Sequence, residues 1–463
     1  MSKHQKIAGH IVHAPGESLA QWLKARGITE VEALVPDMTG NARGKIIPTD
    51  KYLNNSSSRL PEAIFMQTVT GDYPDDDIYD ALIDPADIDL YLVPDESTAR
   101  MVPWVDEPTA QIIHDCVTAE GKLHPLSPRN VLKKVLKRYE ELGLKPIVAP
   151  ELEFYLVQKN TDADFPLQPP IGRSGRPERA RQSYSIDAVN EFDPLFEEMY
   201  DFCEAMELDV DTLIHETGAA QMEVNFDHAD ALSRADQVFL FKRLMREVAM
   251  RHDVYATFLA KPMESEPGSA MHIHQSLIDV KTGKNVFAGE NGERLSETFY
   301  HYLGGLQRYT SSAMVFYAPN VNSYRRIVNG DSSPNNTHWG FDNRTAGLRV
   351  PISDEESTRV ESRFAGSDVN PYLAMAATLA SGLLGMQQKI KPDEPVDGSA
   401  YDLPVNIPTT LSVSLETLEA DTALHDMLGD EFVRAYVGIK RKEFEHFFRV
   451  ISSWEREYLL LNV

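Results

Sequence analysis

The sequence predicts an α+β fold in two parts, a small sheet-forming domain at residues 16–120 and a larger domain of helices and strands at residues 121–463. Short alternating apolar stretches occupy the first part, whereas longer helical patterns alternate with strands after residue 120. With 463 residues and 42% hydrophobic content, the chain is long enough to bury a large core.

The first domain is predicted from one helix and several short strands. We expect a helix at 18–26 and strands at 31–37, 45–48, 90–93 and 110–113. The turn residues Thr39, Gly40 and Asn41 separate the first two strands. Polar, acidic stretches at 54–58 and 72–77 predict exposed loops.

The second domain is predicted to begin with a helix that Ser127 caps and Pro128 starts. Helices are expected at 128–143, 193–207, 229–252, 292–316 and 370–390, and strands at 147–157, 219–226, 255–262 and 270–279. The Pro-, Gly- and Arg-rich segment 168–182 is expected to be a mobile surface loop.

Composition limits the classes of partner. The chain has 45 basic and 71 acidic residues, a net charge of −26 that repels nucleic acids and anionic membranes and favours a cationic substrate. Two cysteines indicate a reducing compartment, and the N-terminus leads into no apolar signal core. The longest apolar segment, 371–386, is interrupted by Thr378 and Ser381 and indicates a buried helix. We therefore expect a cytoplasmic enzyme or binding protein.

The common nucleotide-binding motifs are absent from the sequence. The segment 40–46 is similar to a phosphate-binding loop, but its glycines are one residue too close and Ile46 replaces the required Ser or Thr. No Gly-x-Gly-x-x-Gly follows a strand. If ATP binds, it must bind in another way.

Like residues recur at spacing two in three segments, which on a strand places them on one face. Glu151 pairs with Glu153 and His272 with His274, while Glu361 lies between two arginines. A solvated edge strand would explain the glutamates, and a structural pair or half of a zinc site would explain the histidines.

A phosphoryl-transfer centre is the interpretation that joins these residues with others. Five carboxylates and one imidazole suit two or three hard ions, Mg²⁺ or Mn²⁺, bridging a polyphosphate; the set is Glu151, Glu153, Glu216, Glu223, His272 and Glu361. Forked guanidinium groups suit phosphates and carboxylates, and five arginines follow within a short stretch; they are Arg326, Arg344, Arg349, Arg359 and Arg363.

These motifs, in this order, resemble the class I glutamine synthetase family over almost the whole chain. The matching segments are 43–45, 150–154, 268–274, 322–326, 343–344, 349–351, 359–363 and 370–373. The resemblance implies a β-grasp-like N-terminal domain, a catalytic domain built on an antiparallel sheet with helices, and a double-ring dodecamer with active sites between neighbouring subunits. It also implies ATP as co-substrate and a γ-glutamyl phosphate intermediate that an amine attacks.

The resemblance also implies a role for each matching position. Glu153, Glu216 and Glu223 would bind one metal ion, and Glu151, His272 and Glu361 the other. Gly268, Arg326, Arg344 and Arg363 would bind glutamate, with Arg344 and Arg363 also catalytic at the transferring phosphate. Asp211, His274, Ser276, Arg349 and Arg359 would contact the nucleotide. Tyr401 matches a tyrosine that some members adenylylate, although a packed loop residue is the simpler reading.

The departures from the family pattern concentrate where the amine would bind. Segment 65–71 lacks the aspartate of the family's Asp-Gly-Ser, and Ser332 stands in place of a flap acid, with Asp331 displaced by one residue. Glu356 replaces a nucleotide-side lysine, and Pro267 replaces a glutamate-binding Asn. Activation of glutamate is thus expected to be retained and the acceptor altered.

A larger primary amine is the expected acceptor, because the sequence is similar to the γ-glutamylpolyamine synthetase branch, which uses putrescine and related polyamines. The acidic loop 72–77, Trp339 or Phe341 could receive the distal ammonium. The alternatives are ammonia, a monoamine such as ethanolamine, and a catalytically inactive ligand-sensing relative.

Overall fold

Two mixed β-sheets organise the chain. The structure is a computed structural model that describes residues 17–54, 58–289, 292–328 and 332–463. Residue 16, part of the loop 54–58 and Asp331 lie outside this description. The helices are α1 (Leu19–Ala25), α2 (Thr49–Asn54), α3 (Asp76–Leu82), α4 (Pro128–Glu141), α5 (Ile186–Val189), α6 (Asp193–Ala205), α7 (Ala231–Arg251), α8 (Glu297–Tyr317), α9 (Val321–Val328), α10 (Pro371–Gln388), α11 (Leu411–Glu419), α12 (Thr422–Leu428), α13 (Asp430–Phe448) and α14 (Ser453–Tyr458).

The first sheet has the strand order β2-β1-β6-β4-β3, with β5 paired to β6. Its strands are β1 (Glu30–Pro36), β2 (Ala42–Pro48), β3 (Arg59–Pro61), β4 (Asp89–Pro94), β5 (Arg100–Met101) and β6 (Thr109–Val117). The turn between β1 and β2 is held by Asp37, whose side chain accepts from the backbone N–H groups of Thr39 and Asn41 at 2.9 Å. Gly40 has φ +82° there, a conformation that suits glycine.

The second sheet carries the site. Its order is β13-β14-β15-β12-β7-β9-β8, with β10 and β11 also paired to β7. The strands are β7 (Leu144–Gln158), β8 (Val210–His215), β9 (Gln221–Phe226), β10 (Ala229–Asp230), β11 (Val254–Thr257), β12 (Met271–Asp279), β13 (Trp339–Phe341), β14 (Leu348–Val350) and β15 (Val360–Ser362). Neighbours of β7 all run antiparallel to it. The C-terminal half of β7, from residue 152 to residue 157, is continuously buried.

The predicted α+β fold is confirmed, with local differences. The strand expected at 255–262 ends at Thr257, and the helix expected from 292 begins at Glu297, because the Ser296 side chain accepts from Phe299 N–H and caps it. Helix α3 begins inside the stretch expected to be a loop at 72–77. Ser127 does occupy the position before α4, but its side chain makes no capping bond.

The two sheets share one hydrophobic core. Buried side chains of the first sheet, such as Leu92 and Ile113, belong to the same cluster as Val148 and Leu152 of β7. Arg129 at the start of α4 adds a buried ionic link, since it bonds to Asp95, Asp115 and Asp236 at 2.6 to 2.9 Å. The division into residues 16–120 and 121–463 stays a prediction.

Helix α10 is the apolar segment noted in the sequence, and it is buried along nearly its whole length. It packs against α8, where Gly385 allows a close approach: a Cβ there would meet the Gly305 Cα at 2.4 Å. No described helix combines the length and the apolar composition that crossing a membrane requires.

Candidate active site

A cavity of about 270 Å³ opens where β7, β9, β12 and the loops beside them meet. Polar and charged side chains form most of its wall. The lining residues are Glu151, Glu153, Tyr184, Ile214, Glu216, Thr217, Gln221, Glu223, Asn225, Pro267, Gly268, Ala270, His272, Arg326, Ser332, Arg344, Arg349 and Arg363. Twelve of these are residues that the sequence singled out, so distant segments converge as expected.

Strand register brings the acids and imidazoles together. On β7, Glu151 lies opposite His272 of β12, and Glu153 lies opposite Glu223 of β9. The Glu151 carboxylate approaches His272 Nδ1 at 3.3 Å and His274 Nε2 at 2.9 Å. The two carboxylate–imidazole pairs therefore share one acid on the central strand.

Two groups of three residues can each hold a cation, because their ligand atoms lie within 4.8 Å of one another. One group is Glu151, Glu223 and His272, and the other is Glu151, His274 and Glu361. Oxygen-rich sets with one imidazole suit Mg²⁺ or Mn²⁺. The residues thus fit the divalent ions that the donor pattern predicts.

Electrostatics support the same conclusion. Burial, followed by the charge of Glu216, raises the pKa of Glu153 to about 8, and burial with the charge of Glu151 raises the pKa of Glu223 to about 10. Burial and the Arg363 charge lower the pKa of His272 to about 4, so its ring is neutral at pH 7. A bound cation would stabilise the ionised form of these acids, which burial and neighbouring carboxylates otherwise disfavour, and a neutral imidazole can ligate it.

Glu361 sits beneath the cavity and binds two arginines instead of lining the wall. It is fully buried, and its two oxygens accept from Arg363 at 2.5 Å and from Arg349 at 2.8 Å. Burial opposes ionisation, but Arg363, His274 and His272 together outweigh it and lower the pKa of Glu361 to about 2. Glu361 therefore orients both arginines as well as completing the second acidic group.

Arg326 and Arg363 present guanidinium groups to the cavity from a rigid setting. Arg326 is 5% exposed and donates to the backbone carbonyls of Phe364 and Arg363 at 2.8 and 3.0 Å. The Arg363 Nε is buried and has no hydrogen-bond partner among the described residues, and the same holds for Asn225 Oδ1. Buried polar atoms usually have partners, so these two atoms indicate space for a bound ligand.

The nucleotide-side residues are less closely gathered. His274 contacts Arg359, whose Nε lies 3.1 Å from its Nδ1, and Arg349 also binds Asp342 at 2.6 Å. Ser276 follows two residues on along β12. Asp211 is exposed at the bulge in β8. Of the five, Arg349 alone appears in the described wall of the cavity.

Sequence reasoning missed Gln221, which links several parts of the site. Its amide nitrogen donates to Glu153 Oε2 at 3.2 Å and to the Gly268 carbonyl at 3.0 Å. Its amide oxygen accepts from the Gly218 N–H at 2.9 Å and from the Tyr155 hydroxyl at 3.1 Å. Its place two residues before Glu223 was the available signal, but a lone glutamine carries little weight.

Tyr184 was also missed, and it lines the cavity from an unusual backbone conformation. Its φ is +63°, and its side chain is 65% exposed. Ser332, which the sequence comparison placed at the flap, lines the same cavity with φ +66°. Bulky residues seldom adopt positive φ, and such strain concentrates at functional sites.

The side chains considered for the distal ammonium lie elsewhere. In the loop 72–77, Asp75 binds Lys442 at 2.6 Å and Asp72 lies 3.4 Å from His446. Trp339 is buried and donates to the Asp393 carbonyl, while Phe341 stacks under Arg294. None of these residues is part of the described cavity wall.

The loop expected at 168–182 also contacts residues beside the site. Glu178 accepts from the Ala220 N–H at 2.8 Å and lies 3.0 Å from His215 Nε2. Arg181 donates to the Ser265 carbonyl at 2.9 Å. The segment is a surface loop as expected, and composition alone does not reveal these anchoring contacts.

Known proteins are similar to this chain over most of its length. The family described as "Glutamine synthetase, catalytic domain" matches residues 125–459. A glutamate–isopropylamine ligase of a Pseudomonas species is 33% identical over 462 residues, 95% of this chain and 98% of that protein. The γ-glutamylputrescine synthetase PuuA of Escherichia coli K12 is 34% identical over 442 residues, 93% and 92% of the two chains.

Glutamine synthetases and a solved structure extend the comparison. The glutamine synthetase of Pyrococcus horikoshii is 35% identical over 376 residues, 79% of this chain and 81% of that one. The solved structure of GmaS without ligand superposes with a TM-score of 0.81 at 28% identity, covering 96% of this chain and 99% of its own. Because the catalytic-domain family matches most of the chain and these relatives align over most of their length, the chain belongs to the glutamine synthetase family and is an ATP-dependent ligase.

Proposed function

We propose that the protein joins the γ-carboxylate of L-glutamate to a primary amine through γ-glutamyl phosphate, with putrescine or another polyamine as the first candidate and polyamine breakdown as the context. The observation that carries this proposal is the cavity itself, in which a buried acidic cluster faces Arg326, Arg344 and Arg363. Such a site can stabilise the charge that moves during phosphoryl transfer.

Glutamate would lie against Gly268, Arg326, Arg344 and Arg363. The backbone of Gly268 packs so closely on Arg326 that an added Cβ would meet the arginine Cγ at 2.5 Å. Any larger residue would push the loop and the guanidinium apart, which supports a shared role in binding one substrate. Arg344 and Arg363 are the proposed catalytic residues, acting on the developing phosphate charge.

Two sets of ligands are proposed for the divalent cations, two or three per site. The first is Glu153, Glu216 and Glu223, and the second is Glu151, His272 and Glu361. Bound Mg²⁺ or Mn²⁺ would supply positive charge beside the phosphate oxygens. The chain's own part is to gather these carboxyl groups around one space and to keep the His272 ring neutral.

ATP is proposed to approach from the side of β12, β14 and β15. Arg349 and Arg359 offer guanidinium groups there, and Asp211, His274 and Ser276 complete the proposed contacts. The Arg359–His274 contact of 3.1 Å supports this arrangement because it fixes one forked donor group beside the acidic cluster.

A small monoamine is the second candidate, and one observation favours it. The carboxylates in the described cavity wall are Glu151, Glu153, Glu216 and Glu223, all of which are proposed cation ligands. A distal ammonium therefore finds no spare acid there, whereas an alkyl group could contact Tyr184, Ile214 and Pro267. The named substrate of the isopropylamine ligase relative agrees with this alternative.

An amine panel tests the proposal. Phosphate release from ATP would be measured with glutamate and putrescine, spermidine, isopropylamine, ethanolamine or ammonium, and products identified by mass. We expect putrescine or spermidine to give the highest kcat/KM. A preference for isopropylamine or ethanolamine would replace the first candidate with the second, and comparable turnover with ammonium would make the protein a glutamine synthetase.

The chain is also proposed to assemble with copies of itself into a double ring. The C-terminal segment supports it, since Trp454, Leu460 and Leu461 are 60%, 74% and 90% exposed in the single chain. Exposed apolar side chains in such number indicate a protein contact.

A cytoplasmic location is also proposed, supported by two buried free cysteines.

A further inference from the structure

One acidic side chain from an exposed connection reaches the edge of the cavity. Residues 159–185 join β7 to α5 and are largely exposed, yet the Glu178 side chain is only 10% exposed. Its Oε2 accepts from the Ala220 N–H at 2.8 Å and lies 3.0 Å from His215 Nε2. Its Oε1 accepts from Gln182 at 3.2 Å. Glu178 therefore joins the connection to the segment that follows β8.

That segment, residues 216–221, forms the turn from β8 to β9 and carries three cavity residues, Glu216, Thr217 and Gln221. Its backbone is strained at Ala220, where φ is +56°. Residues other than glycine are strained in the left-handed conformation and keep it where neighbours hold them. The Glu178 carboxylate holds Ala220, while Glu266 accepts from the preceding N–H at 3.2 Å.

A second route leads from Glu178 to Glu216 through His215. The His215 side chain is fully buried, and its Nδ1 lies 2.7 Å from the Glu216 carbonyl oxygen. Its other ring nitrogen faces Glu178. The imidazole is thus held between the connection and the backbone of a proposed cation ligand, as supporting partners hold ligands in many metal sites.

We propose that Glu178 is a positioning residue, which sets the conformation of turn 216–221 and so the affinity of the cavity for divalent cations. The proposal rests on the proposed function, specifically on Glu216 as a cation ligand. Glu178 does not line the cavity, so it acts through Ala220 and His215. A purely structural Glu178 would contribute to thermal stability but leave cation affinity unchanged.

The test compares Glu178→Ala, Glu178→Gln and a control, Glu191→Ala. Glu191 anchors the same connection by accepting from the Ser174 N–H at 2.9 Å but makes no described contact with turn 216–221. The first readout is the Mn²⁺ concentration that gives half of the maximal thermal stabilisation, which requires no substrate. The second is kcat and the glutamate KM of the full protein.

We expect Glu178→Ala to raise the Mn²⁺ midpoint and lower kcat by about tenfold or more, as loss of such supporting partners does. Glu178→Gln should shift both by about threefold, because its amide oxygen still accepts from Ala220 but loses the charge that faces His215. Glu191→Ala should stay within about twofold of wild type in both readouts. An effect on the Mn²⁺ midpoint and on kcat that decreases from Glu178→Ala to Glu178→Gln to Glu191→Ala would distinguish positioning from general destabilisation.

A folded Glu178→Ala protein with the wild-type midpoint and kcat would overturn the inference. If that variant does not fold, wild-type values in Glu178→Gln overturn it instead. A wild-type protein that shows no Mn²⁺ stabilisation would refute both the cation assignment and the role of Glu178. A wild type that binds Mn²⁺ but ligates none of the amines would refute only the proposed function, because the titration needs no amine.

Discussion

Glu153 and Glu223 face each other as a directly opposed pair on neighbouring antiparallel strands, and they are only 7% and 6% exposed. Like charges in this position repel one another. Nothing in the described surroundings neutralises both, so burial and neighbouring acids raise the pKa of each. The pair is therefore a place where the fold itself is expected to depend on pH and on cations.

The metal-free protein should lose stability as the pH rises. The pKa values of Glu153 and Glu223 are about 8 and 10 in the folded chain, above the ordinary value of 4.5, so folding takes up protons. Their contribution is complete below about pH 4.5 and is lost as the pH passes 8 and 10. Glu361, with a pKa lowered to about 2, acts only on the acid side of this window.

Thermal unfolding between pH 5 and 9, in a chelator and in excess Mg²⁺ or Mn²⁺, checks this expectation. In the chelator, the midpoint temperature of unfolding should fall as the pH rises. In excess cation, it should stay constant. Glu223→Gln should weaken the pH dependence of the unfolding temperature in the chelator and stabilise the metal-free protein at pH 9 by about 1 kcal/mol or more. It should also reduce the stabilisation that the cation provides. A chelator curve that rises with pH would contradict the assignment.

The sequence could predict that Glu153 shares a strand face with Glu151, but not that Glu223 lies opposite Glu153. Spacing two placed Glu151 with Glu153 on one face, because that follows from strand geometry alone. Opposition of Glu153 to Glu223 depends on the register of two strands far apart in the chain, which no local pattern encodes. Glu178 was missed for the same reason, since a loop carries no periodicity that reports its tertiary contacts.

Gln221→Leu should weaken glutamate binding more than it weakens the fold. The change removes the amide that joins Glu153 to the Gly268 carbonyl. The glutamate KM should rise about tenfold, since buried polar partners would be left unsatisfied. Gln237→Leu is the control, because Gln237 is similarly buried but bonds to Asp209 and Arg234 away from the cavity. Equal KM changes in both variants would argue against a role for Gln221.

Arg363→Lys should lower kcat by about 100-fold while leaving the folded protein intact. Lysine keeps the charge and can still approach Glu361, but it lacks the fork that presents a second N–H to a substrate phosphate. Steady-state kinetics with saturating ATP and glutamate measure the change. Arg325→Lys, at an exposed position of α9, should remain near wild type. A lysine variant with normal kcat would exclude the proposed catalytic role.

Removing residues 451–463 should reduce assembly without unfolding the subunit. Helix α14 contributes no buried residue to the single chain, and its Arg456 approaches Asp164 only at 3.9 Å across an exposed surface. Native mass spectrometry should report smaller particles for the truncated protein than for the full chain, with unchanged circular dichroism. Identical particle masses at equal protein concentration would show that this segment is not needed for assembly.

Tyr184→Ala should change the amine KM more than the glutamate KM. Tyr184 lines the cavity but is not part of the cation or arginine sets, and its strained, exposed position makes it available to an incoming molecule. Loss of an aromatic contact should raise the KM of the preferred amine about five- to tenfold. The half-exposed Tyr200 of α6, outside the described cavity wall, is the matched control as Tyr200→Ala. If Tyr184→Ala raised only the glutamate KM, the aromatic ring would belong to the glutamate side, and the amine would have to enter past Ser332.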